Sequence, residues 1–185
     1  MSRSLLLDIA RESITEVFEA QRTIDKEKLF TEYPVLKEPV GLFVSVHLAE
    51  QLRGSMGSVI PQNSLLEDLI SFAKKAAFED ENFEPLRISE YLQASLEVSL
   101  LTPLTELEYT SIEEIEKQVH SHEDGLVISL NEHQAAFLPD IWLQVADFNE
   151  LFTALLKQSG LTSLDQHPKV FTFQVEKQRD EPTLR

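Results

Sequence analysis

Residues 40–59 read VGLFVSVHLAEQLRGSMGSV, and the fold turns on how this stretch is divided. Its first half alternates: Val40, Leu42, Val44, Val46 and Leu48 fall on one face, and Gly41, Phe43, Ser45 and His47 on the other. That period of two predicts a half-buried β-strand. The second half compresses an arginine, two glycines, two serines and a methionine into Arg53–Ser58, which reads as a loop between this strand and the next helix.

Toward the N-terminus, Leu6, Ile9, Ala10, Ile14, Val17 and Phe18 recur at helical spacing and predict an amphipathic helix over residues 5–20. Residues 23–40 carry two prolines and mixed charge, and read as a loop with one helical turn near Lys26–Phe30. Downstream, Ser64 followed by Glu67 has capping-box spacing and opens a helix with Leu65, Leu69, Phe72, Ala73 and Ala76 as its buried stripe. A second strand is predicted over Tyr91–Leu101, with Leu92, Ala94, Leu96, Val98 and Leu100 inward. Residues 110–119 read as a short acidic helix whose charges form a solvated face. GLVISL and QAAFL, separated by Asn131–His133, read as a hairpin. Asp147 and Glu150 open a last helix that stops at Gly160, and KVFTFQVEK at 169–177 closes the domain as one strand. The resulting expectation is an α+β fold with a mostly antiparallel or mixed sheet and flanking helices. It occupies residues 1–176 as a single domain, and residues 177–185 form a mobile tail, because they carry too little apolar surface to be held.

Composition narrows the function classes. Sixteen Lys and Arg against thirty-two Asp and Glu give a formal charge of −16, a field that repels phosphate polymers and anionic lipid. Nucleic acid and membrane surfaces are therefore excluded as default partners. No apolar run approaches the roughly 20 residues a spanning helix needs. The absence of cysteine removes disulfides, thiolate ligands and a cysteine nucleophile, and fits a reducing cytoplasm.

The strongest site candidate is the Arg53–Ser58 segment. Gly54 and Gly57 let backbone N–H groups converge without an obstructing Cβ, and the Arg53 guanidinium can grip a carboxylate or phosphate with two parallel bonds. The competing reading is that both glycines permit a turn and that Arg53 pairs a surface acid. Ser55 lacks a G-x-S-x-G elbow and has no histidine tied to it by sequence, so a hydrogen bond to a ligand is favoured over a nucleophilic role, which would need a base beside it. Ser58 belongs to the same set. Glu97 and Ser99 share one strand face, which makes Glu97 a candidate general base or a counter-ion for Arg53. His120, His122 and Asp124 invite a metal reading, yet the polar run HSHED reads equally as a solvated turn, so no metal and no cofactor are assigned. Phe78, Phe83, Phe137 and Trp142 read as packing residues.

The ordered set LRGSMGS, AAFEDENFEPL, EVSLLTPL, EDGLVI, AAFLPDIWLQVAD and LLKQSGL resembles the AMME-syndrome candidate-gene domain family, its bacterial AmmeMemoRadiSam system protein A branch most closely. The likeness runs from about Val40 to Phe173. The resemblance implies two unequal lobes around a groove, an unassigned biochemical role, and a pathway shared with a Memo-like protein and a radical S-adenosylmethionine protein. It also keeps Glu97, within EVS, and Asp124, within EDG, among the site candidates. Departures are informative. Ser55 stands where the family's L-R-G-C-I-G hallmark has cysteine, and His133 and Gln134 replace paired arginines. Asp80–Phe83 departs from D-P-R-F, and Gln158–Leu161 from K-A-G-L. Two function classes remain: a module that uses the Arg53–Ser58 segment to bind a small polar ligand or to dock a pathway partner, and an enzyme acting on a small polar or anionic substrate in the groove with Glu97 as acid/base.

Overall fold

The computed structural model describes residues 4–181 and shows an α+β fold made of two compact units. The first takes the chain up to Leu100 and again from Glu176; the second is Leu101–Val175. Each unit has its own four-stranded sheet and its own apolar core. Among the described residues, no helix is long and apolar enough to cross a membrane.

In the first unit, α1 (Leu5–Glu19) begins where the Ser4 side chain accepts from Leu7 N–H and ends at Ala20 in the left-handed region. It buries Leu7, Ala10 and Ile14. The loop expected next is more ordered than its prolines imply. α2 (Lys26–Glu32) is capped by Asp25, and a 3-10 turn spans Pro34–Lys37. β1 (Leu42–Leu48) follows the alternation, with Leu42, Val44 and Val46 fully buried; each such side chain contributes about 1.5–3 kcal/mol.

The Arg53–Ser58 segment is not a loop. It is part of β2 (Gln51–Ser58), the antiparallel partner of β1. Ala49 and Glu50, both at positive φ, make the tight turn between the two strands, a conformation typical of two-residue hairpin turns. α3 (Leu65–Phe78) starts at Ser64, whose hydroxyl accepts from Glu67 N–H and donates to the Glu67 carboxylate. It packs on α1, β1 and β2.

The second strand starts later than its alternation predicts. Residues 88–91 form the short helix α4 (Ile88–Tyr91), so β3 runs from Ser95 to Leu101 and Leu92 is partly exposed instead of inward. Leu96 and Val98 keep their predicted core positions, opposite Val46 and Val44.

The second unit holds β4 (Thr105–Glu106), α5 (Ile112–Gln118), the hairpin β5 (Gly125–Leu130) with β6 (His133–Phe137), α6 (Phe148–Ser159) and β7 (Lys169–Phe173), in the sheet order β4-β7-β5-β6. Asp147 caps α6 through Glu150 N–H, and Gly160 ends it at φ +78°. The run expected as one closing strand divides at Gln174. β7 joins the second sheet, whereas β8 (Val175–Arg179) is an edge of the first, in the order β2-β1-β3-β8. Thr102 N–H donates to Gln174 O at 2.9 Å, so the chain enters and leaves the second unit side by side.

The expectation of an unheld tail therefore fails for residues 177–180. Three of them belong to β8, and Asp180 is clamped by Arg11 and by the backbone of Leu96. Backbone pairing and one buried charge hold them where apolar surface is lacking. Residues 182–185, the remainder of that expectation after Glu181, lie outside the described residues.

Candidate functional site

The register of β2 explains most of its residues. Val46 pairs with Gly54 and His47 with Leu52, so Arg53 is the extra residue of a β-bulge, a device that re-aims a side chain. Its guanidinium turns to Glu90 of α4: Nε and Nη2 donate to the two carboxylate oxygens, both at 3.1 Å, and the group lies over the Phe83 ring. The arginine side chain is only 16% exposed. Glu90 also accepts from Arg87 N–H, and the Arg53 bond followed by the Arg87 bond holds its pKa below the ordinary carboxylate value. The fork expected to grip an anionic ligand is thus occupied by an internal acid.

The glycines serve packing and do not build a nest of converging N–H groups. A Cβ on Gly54 would stand 2.1 Å from the carbonyl oxygen of Ala76 in α3, and one on Gly57 would stand 2.4 Å from Leu42 O. Ser55 N–H points away from β1 and donates to the Asp80 carboxylate at 2.8 Å. Asp80 also accepts from Asn82 N–H. Burial alone would raise the Asp80 pKa, but the Asn82 and Ser55 donors outweigh it and bring it below its ordinary value. The Ser58 hydroxyl closes a turn on Ile60 O at 2.5 Å.

Sequence reasoning missed that Ser55 stands in a polar row. Ser55 is directly opposite Ser45 on β1, with the hydroxyls 2.9 Å apart, and Ser45 is opposite Glu97 on β3. The Glu97 carboxylate lies 3.7 Å from the Lys177 ammonium of β8 and 3.5 Å from the Ser99 hydroxyl. Ser55, Glu97 and Ser99 are therefore on one sheet face, as directly opposed residues must be. Ser45 and Lys177 complete the row, and their signal was present only as alternation on two strands whose pairing was unknown. A second row on the same face contains His47 and Ser95. Arg179 donates to the Ser95 hydroxyl at 3.0 and 2.9 Å and grips Glu50 at 2.8 and 3.1 Å.

His47 is half-buried, with both ring nitrogens shut off from solvent and neither partnered among the described residues. Burial, then the Arg179 charge and that of Lys177, push its pKa below the ordinary 6.5 against the opposing pull of Glu97 and Glu50. Above that ordinary value both folded and unfolded chains carry a neutral ring. Below it the unfolded chain takes up a proton that the folded chain resists, so stability falls as pH falls. Urea midpoints measured between about pH 7 and pH 5 should decline in the wild type and decline less in His47→Gln. The carboxylates Glu16, Glu67, Asp80 and Glu90, all lowered, act below their own ordinary values and so below this window. Equal slopes in the two proteins would contradict the assignment.

Asp124 belongs to the second unit, where it organises a turn. Its carboxylate accepts from His120 N–H at 2.8 Å and from Gln174 Nε2 at 3.0 Å, and its carbonyl accepts from Trp142 Nε1 at 2.9 Å. His120 contacts the same carboxylate, while His122, at φ +69°, lies against the Trp142 ring. The two histidines sit on a turn before β5 and not on a strand, and among the described residues no group of three metal-ligating side chains converges.

Beside Ser55, the first unit has an open depression of about 470 Å³ lined by Leu52, Ser55, Met56, Asp80, Glu81, Asn82 and Phe83. Leu52 stands 49% exposed at its margin. The structure is similar to the crystal structure of an uncharacterised protein from Pyrococcus horikoshii, with a TM-score of 0.80, 27% identity and coverage of 97% of this chain and 92% of that one. A relative from Thermococcus onnurineus is 32% identical over 180 residues, covering 92% of this chain and 86% of the relative. One from Pyrococcus furiosus is 30% identical over 180 residues, covering 92% and 84%. With the family model for AMMECR1 matching residues 7–178, this chain belongs to the AMMECR1 family.

Proposed function

We propose that the chain is a cytoplasmic docking module, and that its contact surface is the outer side of β2 with the depression bounded by Leu52, Met56 and Asp80–Phe83. The partners proposed are the Memo-like and radical S-adenosylmethionine proteins implied by the sequence resemblance. One observation carries the reading. Leu52 is half exposed at the depression while the groups best suited to a small ligand, the Arg53 fork and the Ser55 hydroxyl, are bonded to Glu90 and Ser45. An apolar anchor beside a shallow recess suits a protein surface better than an enclosed substrate.

The test is direct titration of a purified Memo-like protein, and separately of the radical S-adenosylmethionine protein, into wild type and Leu52→Glu. A loss of about tenfold or more in affinity supports docking at this surface. Unchanged binding, or none by wild type to either protein, defeats it.

The polar row favours a second reading, an enzyme acting on a small polar substrate with Glu97 as acid/base. A small molecule released on denaturing wild type and absent from Glu97→Gln, identified by mass spectrometry, would support that reading over docking.

A further inference from the structure

We infer that the partner segment received at the depression beside β2 is basic, placing a lysine or arginine against Asp80 and Glu81 and an apolar side chain on Leu52, Met56 and Phe83. This rests on the docking reading above and specifies the partner's chemistry.

Charge at the rim is unbalanced. Arg53 is the nearest cation on β2, and its bidentate pairing with Glu90 cancels its charge locally. Asp80 is held ionised by the N–H groups of Ser55 and Asn82. Glu81 stands beside it on the lining. The rim therefore retains negative charge over an apolar floor, and the chain as a whole carries −16, which steers cations toward it. A lysine or arginine suits both parts, because its methylene stem covers apolar surface while its head reaches a carboxylate.

The mode of contact follows from the edge. β2 is an outer strand of its sheet, the usual template for adding a strand from another chain. Here the Ser55 N–H is already capped by Asp80 and the strand is bulged at Arg53, two devices that blunt an edge against backbone pairing. Side chains, not an added strand, make the contact.

The probe is a fluorescein-labelled acetylated hexapeptide amide alternating leucine and lysine, with its leucine–glutamate counterpart as control, titrated by anisotropy and mapped by amide chemical shifts. The lysine peptide should bind wild type with shifts centred on residues 52–56 and 80–83. Its affinity should fall about tenfold in Glu81→Lys, as for a reversed rim charge, and far less in Glu113→Lys, which makes the same charge change on α5 of the other unit. Equal losses in the two variants would show only attraction to an acidic protein and overturn the inference. So would binding of the glutamate peptide, or shifts mapped elsewhere. If the lysine peptide fails while titrated partner proteins still depend on Leu52, the docking surface stands and the basic chemistry does not.

Discussion

Asp180→Ala is expected to lower the unfolding free energy by about 3–5 kcal/mol, the cost of leaving a buried charge without its partner. The Asp180 carboxylate accepts from Arg11 Nε at 2.5 Å, from Arg11 Nη2 at 2.8 Å and from Leu96 N–H at 2.7 Å, and Asp180 N–H returns a bond to Leu96 O. The two side chains are 6% and 2% exposed. Removing the acid leaves a guanidinium whose acceptors among the described residues are Ala94 O and, at 3.5 Å, Glu181 O. The guanidinium is not fully satisfied even when the pair is intact, because Arg11 Nη1 is buried without an acceptor among the described residues. Replacing both partners, as in Arg11→Met with Asp180→Leu, should therefore cost much less than either single change. Urea denaturation of the two single variants and the double variant checks this. A double variant as unstable as Asp180→Ala would mean that the carboxylate's bond to Leu96 N–H, and not the ion pair, holds β8 in place.

Gly54→Ala carries the second large effect, about 3 kcal/mol, at the upper end of what overpacking usually costs. The added Cβ would meet Ala76 O at 2.1 Å, and that oxygen belongs to the backbone of α3, so no side-chain rotation relieves the contact. Ser55→Ala, one residue away, removes only the hydroxyl pair with Ser45 and should cost about 1 kcal/mol. Denaturation midpoints separate the two. If Gly54→Ala were as stable as wild type and had lost only partner binding, the glycine would belong to a recognition surface and not to helix packing.

Much of the fold was legible because apolar periodicity and helix caps are local signals. Val44, Val46, Leu96 and Val98 follow a period of two into the core, and Ser64 and Asp147 open helices where their spacing with Glu67 and Glu150 says they should. What failed depended on long-range pairing. β2 carries glycine and serine where a strand usually carries branched or aromatic residues, since α3 needs the space at Gly54. Its turn uses Ala49 and Glu50 at positive φ instead of the Asn-Gly pair that announces a hairpin. At 169–179 the alternation was visible, but no local feature tells a chain to change sheets at Gln174. The site divided along the same line. Arg53, Ser55, Glu97 and Ser99 were named as candidates from motif and alternation, while Ser45, Lys177 and Glu90 become their neighbours only once the register is known.

The first unit is discontinuous in sequence, and this bears on how the molecule is made. During synthesis, the chain up to Leu100 emerges with β1, β2 and most of β3 but without β8, so the Arg11 guanidinium and the free side of β3 wait for Asp180. The second unit is contiguous and can close its own core in the interval. Because Thr102 and Gln174 hold its two ends together, that closure also shortens the loop spanning the gap. The later-made segment then reaches β3 as a short-range event, despite a separation of more than seventy residues along the chain.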